Sequence, residues 1–159
     1  MIKSIFFSFF LLLLTSAKAQ ELPAWKLSDL QAAMKSDKPT ILNFWATFCK
    51  PCIEEIPHFQ ELAKKYEKEG VQLILVSLDP KEAFPQKIKT FAKKRGFTAP
   101  MAFLDETNAD LFCPAVDEKW SGAIPASLFI NNKTGYRSFY EEQLTAEQVE
   151  KEIKKMLGR

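Results

Sequence analysis

The chain has 159 residues, of which 47% are hydrophobic and 26% charged, with a formal net charge of +2 and three cysteines. That length supports one domain with a real hydrophobic core. Three cysteines are too few, and odd in number, for a disulfide scaffold, and so small a net charge gives no support for a nucleic-acid or anionic-membrane partner.

Residues 1–19 read as a secretory signal peptide. Lys3 precedes an apolar run from Ile5 to Leu14, and Ala17-Lys18-Ala19 has the form of a cleavage site. The run falls well short of the roughly 20 residues that cross a bilayer, and no cysteine adjoins the cleavage point to take a lipid. The expectation is an exported protein with no membrane anchor after cleavage, periplasmic if the source is a Gram-negative bacterium, whose single domain spans residues 20–159. Loss of Lys3 and Lys18 with the leader reduces the 22 basic side chains to 20, against 20 acidic ones.

Helical and strand patterns then alternate. Ser28 with Gln31 forms a capping-box pattern, and Leu27, Leu30 and Met34 recur at helical spacing. A mostly apolar strand follows over Thr40 to Ala46. Ile53, Ile56, Phe59, Leu62, Ala63 and Tyr66 mark one face of a long helix from about Lys50 to Glu69, stopped by Gly70 and kinked at Pro57. Val71 to Leu78 is a second strand, parallel to the first because a helix separates them. Phe84, Ile88, Phe91 and Ala92 give another helix, closed by Gly96. Met101 to Leu104 is a short strand, and Glu106 to Ser121 is irregular or weakly helical. Ala126–Ile130 and Tyr136–Tyr140 form a hairpin around Gly135. Thr145 with Gln148 caps a terminal helix that buries Val149, Ile153, Met156 and Leu157. The pattern predicts an α/β domain with a mixed central sheet and helices on both faces.

The chemistry concentrates in "FWATFCKPC", residues 44–52. Cys49 falls where the first strand gives way to the long helix, with Cys52 one turn in. Unpaired backbone N–H groups and the positive end of the helix dipole face the first sulfur. Such a thiol, next to Lys50, is expected to have a pKa below the free value of about 8.5 and to attack a disulfide as thiolate. Cys52, less exposed, suits the second step, in which it resolves the mixed disulfide. Pro51 costs no hydrogen bond at an early helical position and stiffens the turn. A structural staple or half of a metal site would share this spacing. Zinc would need two further ligands, and only Cys113 and His58 are at hand; His58 lies half a turn out of phase with Cys49 and reads as an exposed helix residue. No metal is expected.

"NFWATFCKPCIEEIP" resembles the active-site segment of the thioredoxin superfamily, and more closely that of exported TlpA- and ResA-like thiol-disulfide oxidoreductases. Phe48 stands where that family usually carries tryptophan, and Pro57 matches its kinked helix. "GAIPASLFINNKTG" resembles the segment in which a cis-proline precedes the last hairpin, which makes Ile124-Pro125 the expected cis bond. The resemblance implies a thioredoxin-like three-layer sandwich with the TlpA-type inserted helix and strand, here Phe84–Lys94 and the strand near Met101. It places the proline loop beside the dithiol, where Ile124 and Pro125, with Trp45, would bind an extended substrate peptide.

Two departures from thioredoxin matter. Asn43 stands where thioredoxins carry a buried aspartate, and Glu55, three residues after Cys52, is either the substitute proton acceptor or a solvated acid. Glu54 reads as solvated. Cys113 is either a buried free thiol or a regulatory or intermolecular one, and Trp25 and Trp120 have no assigned role beyond core or groove. The resulting expectation is a reductase of protein disulfides that needs no cofactor, with Cys49 as nucleophile and Cys52 as resolving thiol. Lys50-Pro51 carries no imidazole, which favours a reductant. The family likeness implies a membrane thiol relay as electron donor. A disulfide oxidase or isomerase, and a non-catalytic protein-binding module that uses the proline groove, remain the alternatives.

Overall fold

The computed structural model describes residues 21–159; the signal peptide expected over residues 1–19 lies outside them. Six strands, β1 (Ala24–Trp25), β2 (Thr40–Trp45), β3 (Gln72–Ser77), β4 (Met101–Leu104), β5 (Ala126–Asn131) and β6 (Tyr136–Tyr140), form one sheet in the order β1-β4-β3-β2-β5-β6. The β1–β4, β4–β3 and β3–β2 pairs are parallel, while β5 and β6 run antiparallel. Five helices, α1 (Leu27–Met34), α2 (Lys50–Lys65), α3 (Gln86–Arg95), α4 (Ala109–Val116) and α5 (Ala146–Met156), cover it.

Alternation along β2 divides the core in two. Ile41 and Trp45 face a cluster built with Ile56 and Phe59 of α2, Ile88 of α3 and Ile153 of α5. Leu42 and Phe44 point the other way, toward Leu30 of α1 and Phe112 and Val116 of α4. Every residue of β2 is therefore buried, as expected for a central strand covered on both faces. This is the three-layer sandwich expected from the sequence. The inserted pair is α3 and β4, with β4 lying between β1 and β3.

Several local expectations need correction. The first helix is capped two residues earlier than Ser28, at Lys26, whose N–H donates to Asp29 Oδ2 at 2.8 Å. The helix α2 ends at Lys65, and a 3₁₀ turn over Glu67–Glu69 carries the chain to Gly70, whose φ of 87° only glycine adopts readily. The stretch expected to be weakly helical contains α4, whose first turn is held by Asn108 Oδ1 accepting from the Asp110 N–H at 3.0 Å. A second cis bond, Phe84-Pro85, accompanies the expected Ile124-Pro125. The terminal cap is as expected, with Thr145 and Gln148 exchanging hydrogen bonds at 2.8 and 3.3 Å.

Candidate active site

The buried strand β2 ends at Trp45, and Ala46 to Phe48 turn the chain into α2. Asp79, just past β3, fastens this turn: its carboxylate accepts from the Thr47 N–H at 3.1 Å, from Thr47 Oγ1 at 2.5 Å and from Ser77 Oγ at 2.8 Å. Only 5% of Asp79 is exposed, so the two Thr47 donors hold the loop to the end of β3, and Ser77 holds the carboxylate, without competition from water. The Cys49 N–H closes the turn by donating to Ala46 O at 3.1 Å.

Cys49 is the N-cap of α2, and its sulfur accepts from the Cys52 N–H at 3.4 Å. The helix end therefore delivers its free N–H groups and partial positive charge to this sulfur. The pair is joined as a disulfide, with Cα atoms 5.3 Å apart. Cys49 keeps 7% of its surface exposed and Cys52 none, which gives a partner sulfur access to the first cysteine only. Lys50 is almost fully solvated and lies 3.8 Å from Glu54 Oε1, so its charge is shared with a neighbouring carboxylate and screened by water. Glu54 is exposed, as expected. Phe48 is 71% exposed and places an apolar ring in solvent beside Cys49.

Beneath the dithiol lies a polar network inside the core. Glu55, one turn past Cys52 on α2, is fully buried, which removes the solvated alternative. Its Oε1 accepts from Asn43 Nδ2 at 2.7 Å and its Oε2 from the Leu144 N–H at 2.8 Å. Asn43 Nδ2 also donates to Ser127 Oγ at 3.0 Å. Burial raises the Glu55 pKa from 4.5 to about 7, against the lowering pull of the Leu144 and Asn43 hydrogen bonds. A carboxyl poised there can hold or release a proton near neutral pH. Asn43 Oδ1 is buried with no partner.

Ile124 is half-buried and packs against both core clusters, including the one that contains Cys49 and Cys52; Pro125 is buried. The loop before them is pinned by Glu141, at the end of β6. Its carboxylate accepts from the Ser121 N–H at 3.1 Å, from Ser121 Oγ, and from the Ala123 N–H at 2.9 Å. Trp120 Nε1 adds a bond to Ala123 O at 2.8 Å.

Two sequence expectations change. Trp45 is wholly buried, with its ring edge-on to Phe97 at 5.4 Å and tilted over Phe91 at 6.2 Å; it supports the loop from below and offers no face to a substrate. His58 is half-buried, with Nε2 enclosed and unpartnered, not exposed. Trp120, read as a core or groove residue, lies in the core, its ring tilted or edge-on to Phe44, Phe112 and Phe139. Asp79 and Glu141 were missed, because each acts on a loop far away in sequence. Cys113 is buried and free, and burial raises its pKa. Among the described residues no three His, Cys, Asp or Glu side chains gather as metal ligands.

A thioredoxin-like sandwich with a Cys-x-x-Cys pair at the start of a helix defines a thiol-disulfide oxidoreductase, and relatives agree. The chain belongs to the AhpC/TSA family, whose model matches residues 14–135. It is 30% identical over 141 residues to the thiol-disulfide oxidoreductase ResA of Geobacillus kaustophilus, covering 88% of this chain and 71% of that protein. Its fold is similar to that of a thioredoxin-related protein from Neisseria meningitidis serogroup B, at 24% identity and a TM-score of 0.69 over 87% of this chain and all of the other. StoA of Bacillus subtilis is 28% identical, with a TM-score of 0.57 over 74% of this chain and 84% of that one.

Proposed function

We propose that the protein is an exported reductase of protein disulfides. The reading rests on one observation above the others: Cys49 caps α2 with its sulfur receiving the Cys52 N–H, at the only exposed edge of the pair. In the reduced protein, the Cys49 thiolate attacks one sulfur of a substrate disulfide. A mixed disulfide forms and the other substrate sulfur leaves as thiolate, to be protonated by solvent. Cys52 then gives its proton to the Glu55 carboxylate and attacks Cys49 Sγ. The second substrate thiolate leaves, and the Cys49–Cys52 disulfide remains with two electrons passed to the substrate.

The roles of the surrounding residues follow from this course. Pro51 and Lys50 tune the pair, and the Ile124 backbone before Pro125 offers an edge to an extended substrate segment. Trp45 supports the turn. Each cycle consumes a dithiol, so a thiol donor at the membrane must restore it. Residues 1–19 supply export, and residues 20–159 form the exported domain.

The test is trapping. With Cys52→Ser the second step fails, so disulfide-linked adducts through Cys49 should accumulate in cells, and Cys49→Ser should show none. Equal adduct levels in the two variants would reverse or abolish the assigned roles.

A further inference from the structure

The helix α3 carries Lys87, Lys89, Lys93, Lys94 and Arg95 among ten residues and no acidic residue. At 100° per residue, buried Ile88 and Ala92 mark its inner face. The outward face centres on exposed Thr90, with Lys87 and Lys94 on one flank and Lys89 and Lys93 on the other. Each flank borders a shallow groove, one including Phe91, the other of about 660 Å³ and reaching Phe97 and Met101.

Helix physics does not account for this arrangement. Lys93, Lys94 and Arg95 suit the C-terminal end of the dipole, but Lys87 and Lys89 stand in the first turn, where the dipole disfavours cations. Lys89 and Lys93 are a like-charged pair four residues apart, which weakens a helix further. Among the described residues none of the five has a carboxylate within ion-pair distance; the same holds for scattered lysines such as Lys35, Lys38, Lys68 and Lys133, so what sets α3 apart is five cations without an ion-pair partner on one helix with no acid among them. Phe91, which lines the groove beside Lys87 and Lys94, packs on the buried Trp45, the residue that ends β2 before the dithiol turn, and so ties this helix to the element that carries Cys49.

We infer that the outward face of α3 is a docking surface for an acidic segment of the protein whose disulfide is exchanged at Cys49; this rests on the function proposed above. A lipid surface fits less well. The apolar side of α3 is already buried in the core, and the large exposed hydrophobic residues, Phe48 and Leu111, lie on other elements.

The test uses the full chain and a cysteine-free, glutamate-rich peptide, with a glutamine-rich peptide of equal length as reference. The variant K87Q/K89Q/K93Q/K94Q removes like charges and should fold. K35Q/K38Q/K68Q/K133Q removes the same charge from other exposed positions. At low ionic strength the α3 variant should bind the glutamate-rich peptide about tenfold more weakly than wild type, the order expected of four exposed ion pairs, while the control variant binds as wild type does. Equal weakening in both variants would overturn the inference, as would α3-dependent binding to phosphatidylglycerol vesicles without preference between the peptides. Because the peptide holds no sulfur, binding is read separately from exchange: failure to turn over any disulfide peptide would strike the proposed function, and the binding result would still decide the docking face.

Discussion

Replacement of Glu55 by Gln tests the buried network quantitatively. The Glu55 carboxyl is fully buried and its pKa is raised from 4.5 to about 7. The native state therefore holds this proton more tightly than the unfolded chain does. Its contribution to stability is full below pH 4.5 and is lost as pH rises through about 7. At 1.36 kcal/mol for each pKa unit, the window amounts to about 3 kcal/mol. Urea unfolding of the oxidised protein isolates the effect, since its paired cysteines do not titrate. Wild type should lose about 3 kcal/mol relative to Glu55→Gln between about pH 4.5 and 8, and subtraction of the two curves cancels every other titrating group. Parallel curves would refute the raised pKa, and with it the place of Glu55 as proton acceptor. In the reduced protein the same variant should slow resolution of the mixed disulfide and remove the inflection near pH 7 from its rate profile.

Two further variants address the loops around the dithiol. Glu141→Ala frees the Ser121–Ala123 loop; KM for a peptide disulfide should rise about tenfold, the loss of roughly one charged hydrogen bond, with kcat nearly unchanged and reaction with a small disulfide unaffected. Glu141→Gln should recover part of the loss, and an equal change for both substrates would show that Glu141 does not act through the peptide-binding edge. Asp79→Ala leaves the Thr47 N–H and two hydroxyls without their acceptor and should cost about 3 kcal/mol in urea unfolding. A cost below about 1 kcal/mol, the worth of one ordinary hydrogen bond, would mean that the turn is held by other contacts.

The sequence carried the parts of this site that depend on local order. A buried strand running into a helix with Pro51 near its start places Cys49 at the cap, and the Thr145–Gln148 pair marks α5, because each signal lies within a few residues. Elements fixed by distant partners were hidden. Strand β1 has two residues, too few for any period, and exists through its pairing with Phe103 and Leu104. Asp79 and Glu141 look like ordinary loop acids until Thr47 and Ser121 are folded against them. Glu55 was ambiguous for the same reason: a helical carboxylate is buried or solvated according to what covers it, here Leu144 and Asn43. The family resemblance implies a substrate contact for Trp45, yet the alternation of β2 turns it into the core.

The direction of electron flow is the centre of the account, and the reduction potential of the Cys49–Cys52 pair measures it most directly. Equilibration of the protein with glutathione and dithiothreitol buffers should give a value near the thioredoxin end of the scale, about −270 to −230 mV. A value near −120 mV, the strongly oxidising end, would contradict the reductase and make the protein a donor of disulfides.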